Sequence, residues 1–280
     1  MRKMKHILCV TAVILFSSLH MMSQATQPSH CSTQSSEVVA AYTAREIPLD
    51  AAHPASEWRN ANPVFICADW QGKNPDELRQ TEVRVLWSRQ TLYLRFECRY
   101  RELFLFSDSD PDGRRDHLWD RDVAEAFLQP DPSHEHSYKE FEVSPNGMWI
   151  DLDIFPGGPA DLKSGLKKSV VLDEKAHRWT AELAIPMKAL TQNFDPKAIW
   201  RANFYRVEGT QEPRAYMAWL PTNSPEPNFH VPSAFGRLRF AEPEAGKLLE
   251  GTLAVGRIQG AERIRTVGRN RLAGIPVSSF

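Results

Sequence analysis

The sequence WDRDVAEAF at residues 119–127 places an aromatic ring and several charged residues directly before a short alternation of apolar and polar positions. Side chains alternate between the two faces of a strand. A strand that starts at Asp122 therefore has Val123, Glu125 and Phe127 on one face and small or aliphatic residues on the other. The segment predicts a ligand-facing loop that leads into a β-sheet.

Similar alternating segments recur along the chain, separated by turn sequences such as DPDG at 110–113, PNG at 145–147 and PGGP at 156–159. This pattern is typical of an all-β protein. The predicted strands are 81–87, 91–100, 123–128, 138–143, 148–155, 169–172, 178–185, 199–207, 216–220 and 237–240. A short helix is predicted at 186–190, where proline fits the first helical turn. The fold class that we predict is a two-sheet antiparallel β-sandwich, immunoglobulin-like or jelly-roll-like.

The N-terminus has the composition of a secretory signal peptide, with basic residues followed by an apolar run from Ile7 to Leu19 and small residues at the cleavage site. The run is shorter than the ~20 residues of a membrane-spanning helix. We predict a signal peptide at 1–25, a flexible leader at 26–44, a β-sandwich at 45–240 and a basic tail at 241–280. We therefore expect the mature protein to be secreted or transported to the periplasm, without insertion into a membrane.

The charge of the chain is almost balanced, with 35 acidic and 34 basic residues. A balanced charge provides no global field that would attract nucleic acid or an anionic membrane. The tail has a local excess of arginine and is a candidate site for a protein partner. The tail arginines are Arg257, Arg263, Arg265, Arg269 and Arg271.

Export permits disulfide bonds, and Cys31, Cys67 and Cys98 follow the predicted cleavage site. Three thiols cannot all pair within one chain. Cys98 lies on the apolar face of a predicted strand, so a buried free thiol is expected there. A bridge between Cys67 and Cys98 is the alternative.

An acidic loop before the opening segment resembles the first half of a calcium-binding loop, because alternate carboxylates around a glycine turn can converge on one hard cation. Its candidate ligands are Asp108, Asp110 and Asp112, with Asp122 as an additional oxygen donor. The twelfth position of the loop is Trp119 rather than a bidentate glutamate. A solvated acidic turn is the alternative.

The sequence contains candidate residues for three other kinds of site. Trp119 and Phe229 could cover the C–H face of a sugar, or they could simply fill the edge of the core. Pairs of carboxylates could hydrolyse a glycoside, but acids on half-exposed strands are common. The candidate acids are Asp122, Glu125, Glu140, Glu142, Asp151 and Asp153.

A histidine and a methionine could bind haem, although their spacing is unremarkable. The candidates are His117, His177 and His230 with Met148, Met187 and Met217.

An ordered set of segments resembles the family 9 carbohydrate-binding modules. The segments are VRVLW at 83–87, LYL at 92–94, WDRDVAEAF at 119–127, WTAELAIP at 179–186, NFYR at 203–206 and PSAFGRL at 232–238. The resemblance covers roughly residues 45–240. It implies a β-sandwich that binds sugars without catalysis, often with structural calcium, and that clamps a terminal sugar between two aromatic rings.

The resemblance assigns Trp119 to one of these rings and Glu125 to a polar contact with the sugar. The second ring falls at Phe229, where the sugar-binding pattern has tryptophan. Glu142 and Ser144 replace the arginine and asparagine of that pattern. The hypothesis is an exported, non-catalytic glycan-binding protein that uses these five residues. The alternative, which the departures favour, is a β-sandwich that has lost sugar binding and binds a protein.

Overall fold

The computed structural model describes residues 35–108, 112–210 and 213–243, and the chain in these ranges is almost entirely β-structure. The strands are β1 (Glu37–Tyr42), β2 (Val64–Ile66), β3 (Ala68–Asp69), β4 (Thr81–Trp87), β5 (Thr91–Arg99), β6 (Val123–Gln129), β7 (Tyr138–Val143), β8 (Trp149–Phe155), β9 (Gly158–Asp161), β10 (Lys167–Asp173), β11 (Arg178–Pro186), β12 (Trp200–Glu208), β13 (Ala215–Ala218) and β14 (Gly236–Phe240). The helix α1 spans Met187–Leu190. The all-β prediction is confirmed, and each predicted strand has a counterpart.

The strands form one curled sheet, and its main path has the order β10-β11-β5-β4-β1-β14-β12-β6-β7-β8-β9. Off this path, β2 pairs with β4, and β13 pairs with β12 and β3. Strand β1 joins its two halves, because Glu37–Ala40 pair with β14 and Ala41–Tyr42 pair with β4. Both of these pairings are parallel. The prediction of a purely antiparallel pair of sheets is therefore wrong in this detail, since the sheet is mixed. The strand that makes it mixed lies within residues 26–44, which we expected to be a flexible leader.

The two halves of the curled sheet face each other across the main core. Strands β4, β5 and β11 supply one side of it and β6, β7 and β12 the other. Phe96 of β5 meets Phe204 of β12 edge to face, with their ring centroids 6.2 Å apart. Such contacts add to the burial of the rings themselves.

A second apolar cluster lies on the other face of β6, β7, β8 and β12. It includes Val123, Phe127, Tyr138, Ile150 and Tyr205. The alternating residues Ala124, Ala126 and Leu128 belong to the main core. The predicted division of faces in the opening segment is thus confirmed, and β6 is buried on both sides. Glu125 shares its face with the second cluster, where the candidate site forms.

Cys98 is a free thiol buried in the main core, as its apolar strand position predicted. Cys67 is disulfide-bonded. The alternative bridge between Cys67 and Cys98 is therefore absent. The partner of Cys67, the predicted signal peptide at 1–25 and the tail arginines lie outside the described residues. Within those residues, we find no helix with the length and apolar composition needed to cross a membrane.

Candidate functional site

A cleft of about 840 Å³ borders the second apolar cluster. Strands β6, β7, β8, β9, β12 and β13 contribute part of its lining. Loop residues contribute the rest, chiefly 119–121 before β6 and 227–230 before β14. Three of the five residues predicted to bind sugar line this cleft, namely Trp119, Glu125 and Phe229. Segments far apart in sequence therefore converge on one site.

Trp119 lies in a 3₁₀ turn at Leu118–Asp120, immediately before β6. Leu118 is buried in the second cluster and anchors the turn. The backbone oxygen of Trp119 accepts a hydrogen bond from Arg214 Nη1 at 3.1 Å. The residue remains accessible, with an exposed fraction of 36%, and its ring lies 4.8 Å from the ring of His117. An anchored turn with an exposed ring is suited to apolar contact with a ligand.

Phe229, the second predicted ring, is largely covered. It stacks on Tyr205 with a centroid distance of 4.2 Å and an interplanar angle of 10°. The Tyr205 hydroxyl also donates to the backbone oxygen of Phe229 at 3.0 Å. Only 8% of Phe229 is exposed. It therefore holds the 227–230 loop in place and presents only a small surface to the cleft.

Three buried glutamates approach one another beside the cleft. Glu125 of β6 and Glu140 of β7 belong to the lining, whereas Glu142 of β7 does not. One carboxylate oxygen from each of the three residues lies within 4.8 Å of the others. Because side chains at alternate positions share a face, β7 directs Glu140 and Glu142 toward the same side as Glu125.

The three carboxyl groups have a poor environment for negative charge. Burial raises the pKa of Glu125, Glu140 and Glu142. Repulsion from Glu140 raises the pKa of Glu125 further, and repulsion from both neighbours does the same for Glu142. These carboxyl groups will hold protons or a cation more readily than exposed glutamates do.

Ser144 is buried at the end of β7, and its hydroxyl group has no hydrogen-bond partner. Its backbone forms the turn to β8, because its N–H donates to Met148 O at 2.8 Å and its carbonyl accepts from Gly147 N at 2.9 Å. Ser144 does not line the cleft. Of the five residues predicted to bind sugar, Glu142 and Ser144 are thus buried and do not line the cleft.

Several polar residues of the cleft were not predicted to contact a sugar. The Tyr138 hydroxyl and His230 Nδ1 form a hydrogen bond of 2.6 Å. The Arg121 guanidinium lies over the Phe104 ring at 3.9 Å. Asn228 lies in the same loop as His230 and also lines the cleft. These residues meet only through long-range folding, which no local motif reveals.

The aspartates of the predicted calcium loop have other partners. Asp108 pairs with Arg115, and Asp112 accepts a hydrogen bond from Arg114 N. Asp122 accepts hydrogen bonds from Phe104 N at 3.1 Å and Gly209 N at 2.8 Å. Asp110 lies outside the described residues, and the other three aspartates do not form a group with oxygens within 4.8 Å. Calcium at this loop stays a prediction, while Asp122 ties two loops to β6.

The remaining candidates have other surroundings. Asp151 accepts a hydrogen bond from Ser164 N, and Asp153 pairs with Lys139. Met187 and Met217 are buried in the main core. His230 lines the cleft, and His117 lies beside Trp119, with their rings 4.8 Å apart. Met148 contacts the second cluster, and His177 contacts Tyr100. Among the candidate acids of the described residues, Glu125, Glu140 and Glu142 are therefore the ones that form a cluster.

Comparison with known proteins places these features in context. A model of the family "carbohydrate family 9 binding domain-like" matches residues 49–242. An "extracellular protein" of Arthroderma benhamiae is 28% identical over 177 residues, which is 58% of this chain and 78% of that protein. A rat protein, the UPF0462 protein C4orf33 homolog, is 26% identical over 134 residues, or 48% of this chain and 63% of its own length.

Two solved structures share the fold. A proposed carbohydrate-binding protein from Bacteroides uniformis superposes with a TM-score of 0.59 at 16% identity, covering 73% of this chain and 99% of its own. A family 9 carbohydrate-binding module from Caldicellulosiruptor kristjanssonii, solved with cellotriose, has a TM-score of 0.54 at 14% identity. That match covers 87% of this chain and all of the module. At these identities the similarity extends to the fold alone.

Proposed function

Because the chain belongs to the carbohydrate family 9 binding domain-like family, we propose that it binds a glycan in the cleft beside β6 and catalyses no reaction on it. The observation that supports this most is the meeting of an exposed tryptophan, Trp119, and a carboxyl group, Glu125, in one cleft of about 840 Å³. This combination of an apolar surface and a few placed polar groups is typical of sites for small ligands.

In this proposal Trp119 covers the apolar face of a sugar ring. Glu125 accepts hydrogen bonds from its hydroxyl groups, and Tyr138, Asn228 and His230 supply further polar contacts. Phe229 contributes its exposed edge and fixes the loop. Glu142 and Ser144 act from below the surface, so the sugar contacts first predicted for them become indirect. Affinity is modest, because the glycan exchanges hydrogen bonds with water for similar ones with protein.

The carboxyl groups of the cleft favour binding over glycoside hydrolysis. A hydrolase needs two carboxyl groups that flank the scissile bond. Glu125 and Glu140 instead project from neighbouring strands on one face of the sheet. They would therefore contact a sugar from the same side.

Export is part of the proposal. Three observations support it: the N-terminal sequence has the composition of a signal peptide, Cys67 is disulfide-bonded, and the Arthroderma benhamiae relative is called an extracellular protein. Disulfide bonds persist mainly in oxidising compartments outside the cytosol. Expression with the native N-terminus, followed by fractionation and N-terminal sequencing, tests the export and the cleavage near residue 25.

A glycan array probed with the purified protein tests the binding function. Cello-oligosaccharides are the first probes, because a structural neighbour was solved with cellotriose. We expect selective binding to at least one class of plant or microbial glycan. An absence of binding to every glycan would support the alternative, a β-sandwich whose partner is a protein.

A further inference from the structure

The buried acids of the described chain differ sharply in their partners. Glu182 accepts from Arg95 at 2.6 Å, and Glu208 accepts from Arg79 at 2.9 Å. Asp122 accepts two backbone N–H groups, and Asp151 accepts one. Buried carboxylates normally have such partners, because an unpaired buried charge is very costly.

The three glutamates beside the cleft depart from this rule. As ionised carboxylates, Glu125 and Glu140 each leave one buried oxygen without a hydrogen-bond partner, and Glu142 leaves both. Only a proton held between Glu140 and Glu142 joins these two residues by a hydrogen bond. Glu142 is completely buried, and Glu125 and Glu140 are exposed by only 2% and 3%. One oxygen from each of the three residues thus approaches the others, and the basic groups that act on them are Arg214 for Glu125 and His230 for Glu140.

The spacing of these oxygens suits a divalent cation. One oxygen from each residue lies within 4.8 Å of the others. Oxygens at the calcium bonding distance of about 2.4 Å cannot be more than about 4.8 Å apart when they share one ion. Carboxylate oxygens are the ligands that hard cations such as Ca²⁺ prefer, and calcium tolerates the irregular geometry that a site on adjacent strands provides.

We infer that Glu125, Glu140 and Glu142 form a Ca²⁺ site at the base of the cleft. This site is separate from the aspartate loop around Asp112. Glu125 and Glu140 also line the cleft, so the ion lies where a ligand can reach its open coordination positions. Completion of those positions by glycan hydroxyl groups rests on the proposed function, whereas binding of the ion itself does not.

Calorimetric titration of Ca²⁺ into protein stripped with a chelator tests the site. We expect one site in the cleft and at least about tenfold weaker binding in Glu142→Gln, because affinity depends on the charge of the ligands. Asp112→Asn is the matched control, and its titration should resemble that of the wild type. Loss of binding in Asp112→Asn with retention in Glu142→Gln would assign the ion to the loop and overturn the inference.

Thermal unfolding with and without Ca²⁺ separates metal binding from a folding defect. Ca²⁺ should raise the Tm of the wild type and leave that of Glu142→Gln unchanged. Without metal, the Tm of Glu142→Gln should be no lower than that of the wild type, because the substitution removes a buried carboxyl group. A wild type that shows neither heat of binding nor a Tm shift with Ca²⁺ would contradict the site.

Glycan titration of the same samples distinguishes the two proposals. If a glycan binds but Ca²⁺ does not, the cation site is wrong and the glycan function stands. If Ca²⁺ binds and no glycan does, the cation site stands and the glycan function fails.

Discussion

Glu125 of β6 and Glu142 of β7 lie directly opposite each other in the sheet, and both are buried. Like charges at directly opposed positions destabilise a pair of strands. Neither residue has a full set of hydrogen-bond partners that would offset this cost. We therefore expect the pair to serve binding rather than folding, which leads to the first prediction.

Glu125→Gln should separate stability from function. Measured with a chelator present, the Tm should rise by roughly a few degrees, because the change relieves charge repulsion in a buried site. Affinity for the glycan should fall, because a carboxyl acceptor in the cleft is lost. Melting curves and glycan titration of the same variant measure the two effects. A fall in Tm together with unchanged glycan affinity would identify Glu125 as a structural residue.

Phe229→Ala should destabilise the protein far more than Trp119→Ala does. Phe229 stacks on Tyr205 and is 8% exposed, whereas Trp119 is 36% exposed. Truncation of a buried phenylalanine costs about 3–5 kcal/mol, whereas most exposed positions change the free energy of unfolding by about 0.5 kcal/mol or less. Denaturant unfolding of both variants measures the difference. Equal losses would show that the Trp119 ring is an element of the core.

Glu208→Gln should strongly destabilise the fold from a position outside the cleft. Glu208 accepts hydrogen bonds from Arg79 at 2.9 Å and from the fully buried Arg206 at 3.3 Å. Removal of one partner from a buried ion pair costs about 3–5 kcal/mol. Arg101→Gln is the control, because its side chain is 47% exposed. Chemical denaturation should show a small loss for the control and a large one for Glu208→Gln.

The Cys98 thiol should remain protonated at pH values where an exposed cysteine ionises. Burial raises its pKa from 9.0 to about 12. Between these values the folded thiol keeps its proton and the unfolded thiol loses it, so the free energy of unfolding falls as the pH rises above about 9. Cys98→Ala should lose this part of the pH dependence. The free energy of unfolding of both proteins, obtained from unfolding curves at about pH 8 to 10, measures this difference.

Alkylation provides an independent check on the same thiol. The thiolate is the reactive form, so native Cys98 should resist iodoacetamide at a pH near 9. The same residue should react rapidly in guanidinium, which serves as the control. Rapid labelling of the native protein would contradict the buried position of Cys98.

Local sequence patterns predicted most of the sheet. In β6 the alternation of Val123, Glu125 and Phe127 with smaller residues identified both faces correctly, because a strand directs successive side chains to opposite sides. The short strands β2, β3 and β9 were not predicted, and neither was β1, because its pairing depends on parallel partners at distant positions. Long-range pairing of this kind leaves little trace in a local segment.

The site was predictable only in part. Trp119 and Glu125 belong to one continuous motif, and the resemblance to the family assigned a second ring to Phe229. The proximity of Glu140 to Glu125 depends on the register of β6 and β7, which a sequence does not specify. The stacking of Phe229 on Tyr205 likewise depends on the path of the loop before β14. This stacking makes the expected second sugar-binding ring a mostly buried support.

Calorimetric titration of the best array glycan into wild type, Trp119→Ala and Leu78→Ala tests the central claim most directly. Leu78 is 55% exposed and lies outside the cleft lining, so it controls for loss of an exposed apolar side chain. We expect Leu78→Ala to bind as the wild type does. Trp119→Ala should bind about 10- to 100-fold more weakly, the effect of losing about 1.5–3 kcal/mol of apolar contact. Wild-type affinity in Trp119→Ala would contradict glycan recognition in this cleft.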